Sequence, residues 1–186
     1  MNGDRPATVD DRRRHSIADG MIVVAAVAVG LVLVRETLPI DLWVSREWAR
    51  LVTNGVILLA DFLVPSTFAL VAIQLRQPRP SIRRLVRRPG FLGCLAACVA
   101  MAAACAFLAV VEVFARVTGS RRVDIDLIYI FAVPGIGFSV LGAWTALAAN
   151  GRSRRPAPGG IDRAGWLVGW GWLLLPGIIW VVIFAA

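Results

Sequence analysis

The chain has 186 residues, of which 58% are hydrophobic, and it carries a formal net charge of +8 at pH 7. Soluble domains are about 45–50% apolar, so this composition excludes an ordinary soluble domain and predicts a membrane protein. All twenty basic residues are arginine, and they stand in short segments that flank apolar runs. We therefore attribute the charge to membrane-flanking loops and expect no nucleic-acid partner.

Five runs of about 20 apolar residues, the length that crosses a hydrocarbon core of roughly 30 Å, use most of the chain. They predict an all-α integral membrane protein, a five-helix transmembrane bundle with short interfacial helices. Residues 1–16 are polar and are predicted to be a disordered cytoplasmic N-terminus. Residues 17–186 form a single predicted transmembrane domain. The predicted spans are 17–34, 51–75, 91–117, 127–149 and 166–186.

The first run, 17–34, could also be the apolar region of a cleavable signal peptide. It has 18 residues, or about 27 Å at 1.5 Å per residue, and RETLP follows it in place of a clear small-residue cleavage site. We interpret it as a retained span. The segment 35–50 then carries Trp43 and Trp48 beside alternating charges, which is typical of a helix in the headgroup layer.

The second span carries Asn54, Asp61 and Pro65. Asp61 lies about ten residues from the span's start, roughly 15 Å deep by helical rise. A charge at that depth costs at least ~2.5 kcal/mol, so the side chain should face the bundle interior. Pro65 has no N–H and leaves the carbonyl of Asp61 free. The two groups could bind a cation or a proton; alternatively, a protonated Asp61 hydrogen-bonds to a neighbouring helix.

The segment 76–90 holds six arginines and three prolines between two apolar runs. Pro80 can open a helix and Pro89 can close one, so a short amphipathic helix is predicted on the membrane surface. An arginine near an anionic leaflet contributes about 1 kcal/mol. We expect contacts with anionic lipid headgroups or, alternatively, with an acidic partner. The arginines are Arg76, Arg79, Arg83, Arg84, Arg87 and Arg88.

The third span is rich in alanine and contains all three cysteines. Its sulfur side chains share one helical face, because spacings of three, four and seven return to the same side of a helix. Such a stripe could hold copper(I), but no histidine lies in any span, so we interpret it as a packed small-residue face. The stripe consists of Cys94, Cys98, Met101, Cys105 and, further on, Glu112.

Glu112 is also spaced for an i,i+4 ion pair with Arg116. Because Asn54 should lie at a similar depth, a larger polar cluster of Asn54, Asp61, Glu112 and Arg116 is the alternative. The local pair needs only the helix itself, whereas the cluster needs the second and third spans to pack with these faces together.

The last two spans each contain a proline–glycine motif, at Pro134 and at Pro176. Proline and glycine are common in membrane helices, where they cause bends, and paired breaks can alternatively mark a transport gate. Between these spans, residues 150–162 (NGRSRRPAPGGID) are predicted to be a loop that does not sustain a helix.

Arginine counts predict the orientation. The N-terminal segment has four arginines, 76–90 has six and 150–163 has four, whereas the two remaining loops have three each. Only an odd number of spans places the three richer segments on one side. The positive-inside rule then predicts a bacterial-type plasma (inner) membrane protein with its N-terminus in the cytoplasm and its C-terminus outside.

The residue inventory argues against an enzyme, because the single histidine, His15, lies outside the spans and no nucleophile–base pair is visible. The leading hypothesis is a structural or accessory component of the membrane, with other membrane subunits as candidate partners. The alternative is a small transporter or ion/proton-translocating subunit that uses Asp61. A membrane-bound enzyme is the third hypothesis. The sequence indicates no particular cofactor.

Overall fold

The computed structural model describes residues 17–37, 47–76, 85–118, 125–151 and 160–185. Within these residues the chain forms five helices and no strand. The helices are α1 (Ile17–Thr37), α2 (Glu47–Arg76), α3 (Pro89–Thr118), α4 (Ile125–Ala149) and α5 (Gly160–Ala185). The N-terminal segment 1–16, predicted to be disordered, lies outside the described residues.

All five helices contain a segment that is long and apolar enough to cross a membrane. These segments have 18 to 30 residues, or about 27–45 Å at 1.5 Å per residue. Large apolar side chains such as Met21, Phe107 and Phe184 stand exposed on the outside of the chain, as a lipid-facing surface requires. For the described residues, the structure thus confirms an all-helical fold whose five helices can make this a multi-pass membrane protein.

The first two helices extend beyond the predicted spans. α1 continues to Thr37, with Arg35 in its last turn, where a cation complements the exposed carbonyl groups. α2 begins at Glu47, so Trp48 belongs to α2 rather than to a separate interfacial helix. The preceding residues of that predicted helix, 38–46, lie outside the described residues.

The last helix also begins earlier than predicted. α5 starts at Gly160, so the prediction of a loop through residue 162 is wrong for its last three residues. Asp162 lies in the first turn, where a carboxylate stabilises a helix by interacting with the unpaired N–H groups. The loop was predicted from its glycine and proline content, which does not take into account the stabilising effect of Asp162 in the first turn of the helix.

The part of the arginine-rich segment that the structure describes is a turn leading into α3. The N–H of Arg88 donates to the carbonyl oxygen of Leu85 at 2.9 Å, and the Leu85 side chain is buried. Pro89 is the first residue of α3, a position that suits proline because its missing N–H would have no helical partner. It therefore opens a helix instead of closing one. Residues 77–84, with most of the predicted surface helix, lie outside the described residues.

We call α5 the central helix because it packs against α2, α3 and α4 and carries the fully buried Trp172 and Leu175. α3 also packs against three helices, whereas α1 packs mainly against α2. The buried core lies where these helices meet, and it includes Leu63, Ala97, Val140, Trp172 and Leu175. We call the end at which α1, α3 and α5 begin and α2 and α4 end the basic end, since the three arginine-rich segments of the sequence adjoin it.

The two proline–glycine motifs do not interrupt their helices, because α4 continues through Pro134 and α5 through Pro176. They instead form a close contact between the two helices. A Cβ atom at Gly137 would lie 2.6 Å from the carbonyl oxygen of Trp172 and 2.7 Å from Cγ of Pro176. The absence of a side chain at Gly137 therefore allows α4 and α5 to approach each other.

Candidate functional site

α2 has two opposite faces that contact different helices. On one face, Leu63 lies against Gly171 of α5, and Thr67 bonds to Trp172 of α5. The opposite face follows the spacing Asp61, Pro65, Phe68, Ala72, in steps of four, three and four residues. The last three of these residues line a groove with α1. Asp61 and Pro65 therefore lie on the face of α2 toward α1, opposite the face that packs on α5.

Asp61 is buried, with 5% of its surface exposed, and it interacts with another group of the protein. Its carbonyl oxygen lies near Gly30 of α1, where a Cβ atom would be 3.5 Å away. The same Cβ would lie 3.0 Å from Cδ1 of Phe62. Gly30 thus lets α1 pack closely over the backbone around Asp61.

Below this contact, toward the basic end, an apolar groove of about 470 Å³ lies between α1 and α2. Pro65 lies in its wall, one helical turn from Asp61. Every lining side chain is apolar, and four are alanines. The lining residues are Ile22, Ala25, Ala26, Val29, Val64, Pro65, Phe68, Ala69 and Ala72.

The other predicted site residues lie elsewhere. On α3, Nε of Arg116 donates to Oε1 of Glu112 at 2.9 Å, which is the i,i+4 ion pair that the spacing predicts. The side chains of Arg116 and Glu112 are 76% and 39% exposed. Asn54 is exposed as well. The structure thus places Asp61 near Pro65 and pairs Glu112 with Arg116, while the four-residue cluster stays a prediction.

The three cysteines are free and lie in different environments along α3. Cys94 is buried, with its sulfur 3.7 Å from the carbonyl oxygen of Gly165. Cys98 is partly buried and Cys105 is exposed. Among the described residues, no group of three or more His, Cys, Asp or Glu side chains could hold a metal ion.

The junction of α3 and α5 at the basic end is a feature that the sequence analysis missed. A Cβ atom at Gly165 would lie 2.9 Å from the carbonyl oxygen of Gly90, and a Cβ at Gly90 would overlap the backbone of Asp162. The two helices therefore cross with almost no side chain between them. The available signal was the pair of glycine spacings, GFLG at 90–93 and GWLVG at 165–169.

A cluster of three tryptophans covers this junction. The ring of Trp144 stacks on Trp166, with centroids 6.5 Å apart, and meets Trp170 edge-on at 5.8 Å. Its Nε1 donates to the carbonyl oxygen of Pro89 at 2.9 Å. Tryptophans with an N–H bonded and a ring in apolar surroundings are typical of the membrane interface. Their contact across α4 and α5 was not predicted.

One buried amide on α2 has no hydrogen-bond partner among the described residues. Gln74 is 3% exposed, and neither Nε2 nor Oε1 is bonded. It lies seven residues after Thr67 on the face that packs against α5. An unsatisfied buried amide costs about 1–3 kcal/mol, so a water molecule or another polar group at this position would stabilise the fold.

The structure describes three of the six arginines predicted to contact lipid headgroups. Arg76 ends α2 and is exposed, Arg87 is exposed in the turn before α3, and Arg88 is partly buried. The others, Arg79, Arg83 and Arg84, lie outside the described residues.

Comparisons with protein-family models, with curated proteins and with solved structures found no match. What the chain does must therefore be inferred from its own residues.

Proposed function

We propose that this protein is a non-enzymatic accessory component of a membrane assembly, and that it binds a transmembrane helix of another subunit on the outer half of α3. The observation that carries this proposal is the change of burial along α3. Six residues between Gly90 and Met101 are buried in the bundle, whereas between Ala102 and Thr118 only Ala115 is buried. Half of this long helix thus leaves the core of its own chain.

The surface that α3 exposes has the spacing of a helix-packing seam. Val99, Ala102, Ala106, Ala109 and Val113 follow one another in steps of three and four residues, and all five are exposed. Lipid tails are as apolar as leucine, so a lipid-facing surface has no need of small side chains. Small residues at this spacing allow a second helix to approach closely. We call this surface the α3 seam.

The ion pair at the far end of the α3 seam supports the same proposal. Arg116 lies two residues before the end of α3, and its side chain is largely exposed. The guanidinium uses Nε to bind Glu112, which leaves its other donors available for a partner's carbonyl or headgroup oxygen. The pair would then fix the depth at which the partner helix binds.

The proposed setting is a bacterial-type inner membrane, with the basic end on the cytoplasmic side and the C-terminus outside. The support is the distribution of arginine, because the three richest segments adjoin the basic end. Anionic headgroups are the proposed contacts of Arg76, Arg87 and Arg88 and of the arginines between them.

The test is extraction of the protein in mild detergent followed by measurement of the intact mass. We expect a complex larger than one chain for the wild type, and loss of the second component in Ala106→Trp, which fills the centre of the α3 seam. Ala148→Trp on α4 is the matched control, since Ala148 is also an exposed alanine. If the Ala106→Trp variant keeps the second component, the α3 seam is not the binding surface. If the wild-type protein has the mass of one chain alone, the accessory function is contradicted.

A second candidate function is ion or proton translocation through Asp61. The observation that favours it is a carboxyl at 5% exposure one turn from Pro65, on a face covered by the peripheral helix α1. Movement of α1 would expose the carboxyl without disturbing the core. In reconstituted vesicles, Asp61→Asn should abolish a flux that Glu112→Gln leaves unchanged. Equal flux in the wild type and Asp61→Asn would exclude this function.

A further inference from the structure

The groove between α1 and α2 opens from the side of the molecule and ends beside an exposed arginine. Its walls are alanine-rich, with Ala25 and Ala26 on α1 facing Ala69 and Ala72 on α2. At its upper end the two helices meet where Gly30 packs on Phe62. The small side chains below that contact leave a trough of about 470 Å³ that the described residues do not fill.

The depth of the groove is that of one leaflet. On α1 it runs from Ile22 to Val29, which are five and twelve residues from the start of the helix, or about 7 to 18 Å by helical rise. On α2 it runs from Ala72 to Val64, four and twelve residues from Arg76, or about 6 to 18 Å. The groove therefore lies in the hydrocarbon layer nearest the basic end.

The lining decides what can occupy such a groove. Apolar cavities do not retain water, and an unfilled trough forfeits the dispersion contacts of its walls. Within a bilayer, a lipid acyl chain is apolar, reaches this depth and is much narrower than a second helix, which is about 10–12 Å across. A chain in the trough would complete the contact between α1 and α2, and α1 has its main packing against α2 alone.

The charge at the groove's end decides which headgroup the lipid carries. Arg76 is exposed and lies four residues after Ala72, on the same face of α2 as the groove wall. A guanidinium binds phosphate through paired hydrogen bonds. The carboxylate in the first turn of α1 is Asp19, and it is buried with 6% of its surface exposed. Among the described residues of α1 and α2 at this end, Arg76 is therefore the exposed charge that a headgroup could meet.

We propose that the α1–α2 groove binds an anionic phospholipid, with one acyl chain along Ala25, Ala26 and Ala69 and the phosphate at Arg76. The lipid acts as a structural element that holds α1 against the rest of the bundle. This site is separate from the α3 seam and does not depend on a protein partner.

Photochemical labelling of the full chain tests the proposal. The protein is reconstituted in vesicles of phosphatidylcholine and phosphatidylglycerol that contain a trace of phosphatidylglycerol with a diazirine on its acyl chain. After illumination, mass spectrometry locates the adducts. We expect them in 22–29 and 64–72 in preference to residues 102–118 of α3, which are more exposed than 64–72. Unlabelled phosphatidylglycerol should compete more strongly than phosphatidylcholine.

Two variants with matched controls separate the acyl site from the headgroup site. Ala72→Trp fills the groove at an exposed wall position and should abolish the adducts, whereas Ala148→Trp on α4 should not. Arg76→Gln should lower the preference for phosphatidylglycerol about fivefold, whereas Arg87→Gln, an exposed arginine away from the groove, should lower it less.

Adducts spread evenly over the lipid-facing helices would show that the lipid surrounds the protein without a specific site, and would overturn the proposal. Adducts that Ala72→Trp leaves unchanged would overturn it as well. Groove labelling without a preference for phosphatidylglycerol would overturn the anionic headgroup. Neither measurement involves the α3 seam. A result against lipid binding in the groove is therefore distinguishable from a result against the accessory function.

Discussion

Trp172 of α5 donates its indole N–H to the hydroxyl oxygen of Thr67 on α2 at 3.0 Å, and both side chains are fully buried. The same hydroxyl donates to the carbonyl oxygen of Leu63 at 2.6 Å, so both groups of the threonine are satisfied. The bond joins residues 105 positions apart in the sequence. It fixes α2, with its Asp61 face turned toward α1, against the central helix.

Thr67→Val should destabilise the protein, because it keeps the shape of the side chain and leaves the Trp172 N–H unpaired in an apolar core. The expected cost is about 1–3 kcal/mol, visible as a lower thermal midpoint in mild detergent. Thr145→Val is the control, since the Thr145 hydroxyl is exposed and bonds only to Gly142 of its own helix. In the double variant Thr67→Val, Trp172→Phe, the loss should be smaller than the sum of the single losses. Additive losses would contradict a direct bond.

A second prediction concerns the glycines of the α3–α5 junction. Gly90→Ala should destabilise the protein by about 1–3 kcal/mol, because the added methyl group overlaps the backbone of Asp162, which cannot move aside easily. Gly142→Ala is the matched variant, since nothing lies within 4 Å of a Cβ atom there. It should raise the thermal midpoint, because alanine favours a helix by about 0.5–1 kcal/mol over glycine. Equal effects of the two substitutions would contradict the close helix crossing.

The five helices could be predicted from the sequence because each is a long apolar run, and hydropathy is a local property. The sequence does not predict which helix covers a given face of another helix, because that depends on contacts between distant segments of the chain. Asn54 and Asp61 illustrate this, being seven residues apart on one face. Asp61 is buried and Asn54 is exposed, and the structure places Gly30 of α1 at the level of Asp61.

The same limit explains why the site was predicted only in part. The ion pair of Glu112 and Arg116 follows from spacing within one helix. The α1–α2 groove and the tryptophan cluster arise from contacts between helices, and no single run of residues carries their pattern. The glycine spacings in α3 and α5 were visible, but spacing alone does not say which two helices meet.

Thiol labelling provides a third prediction, because α3 carries native cysteines on both its buried and exposed parts. In detergent, a small thiol reagent should modify Cys105 rapidly and Cys94 only after unfolding, since Cys94 is 1% exposed. Single-cysteine variants with the other two cysteines replaced by alanine allow each rate to be measured. If a partner helix covers the α3 seam, Cys105 should react more slowly in the detergent-extracted complex than in the dissociated chain. Equal rates for Cys94 and Cys105 would contradict the burial along α3.

The last prediction concerns which end of the bundle faces the cytoplasm. Thr118 ends α3 at the end opposite the basic end, and Asn150 follows α4 at the basic end; both are exposed. In a cysteine-free chain, Thr118→Cys should react with a membrane-impermeant thiol reagent added to intact cells, and Asn150→Cys should react only after the membrane is permeabilised. The physical reason is that the arginine-rich segments favour the cytoplasmic side. If Asn150→Cys reacted in intact cells and Thr118→Cys reacted only after permeabilisation, the basic end would face the outside of the cell. The headgroup that we assign to Arg76 would then belong to the outer leaflet. Labelling of both cysteines in intact cells would contradict a membrane-spanning α4, because that helix connects the two ends.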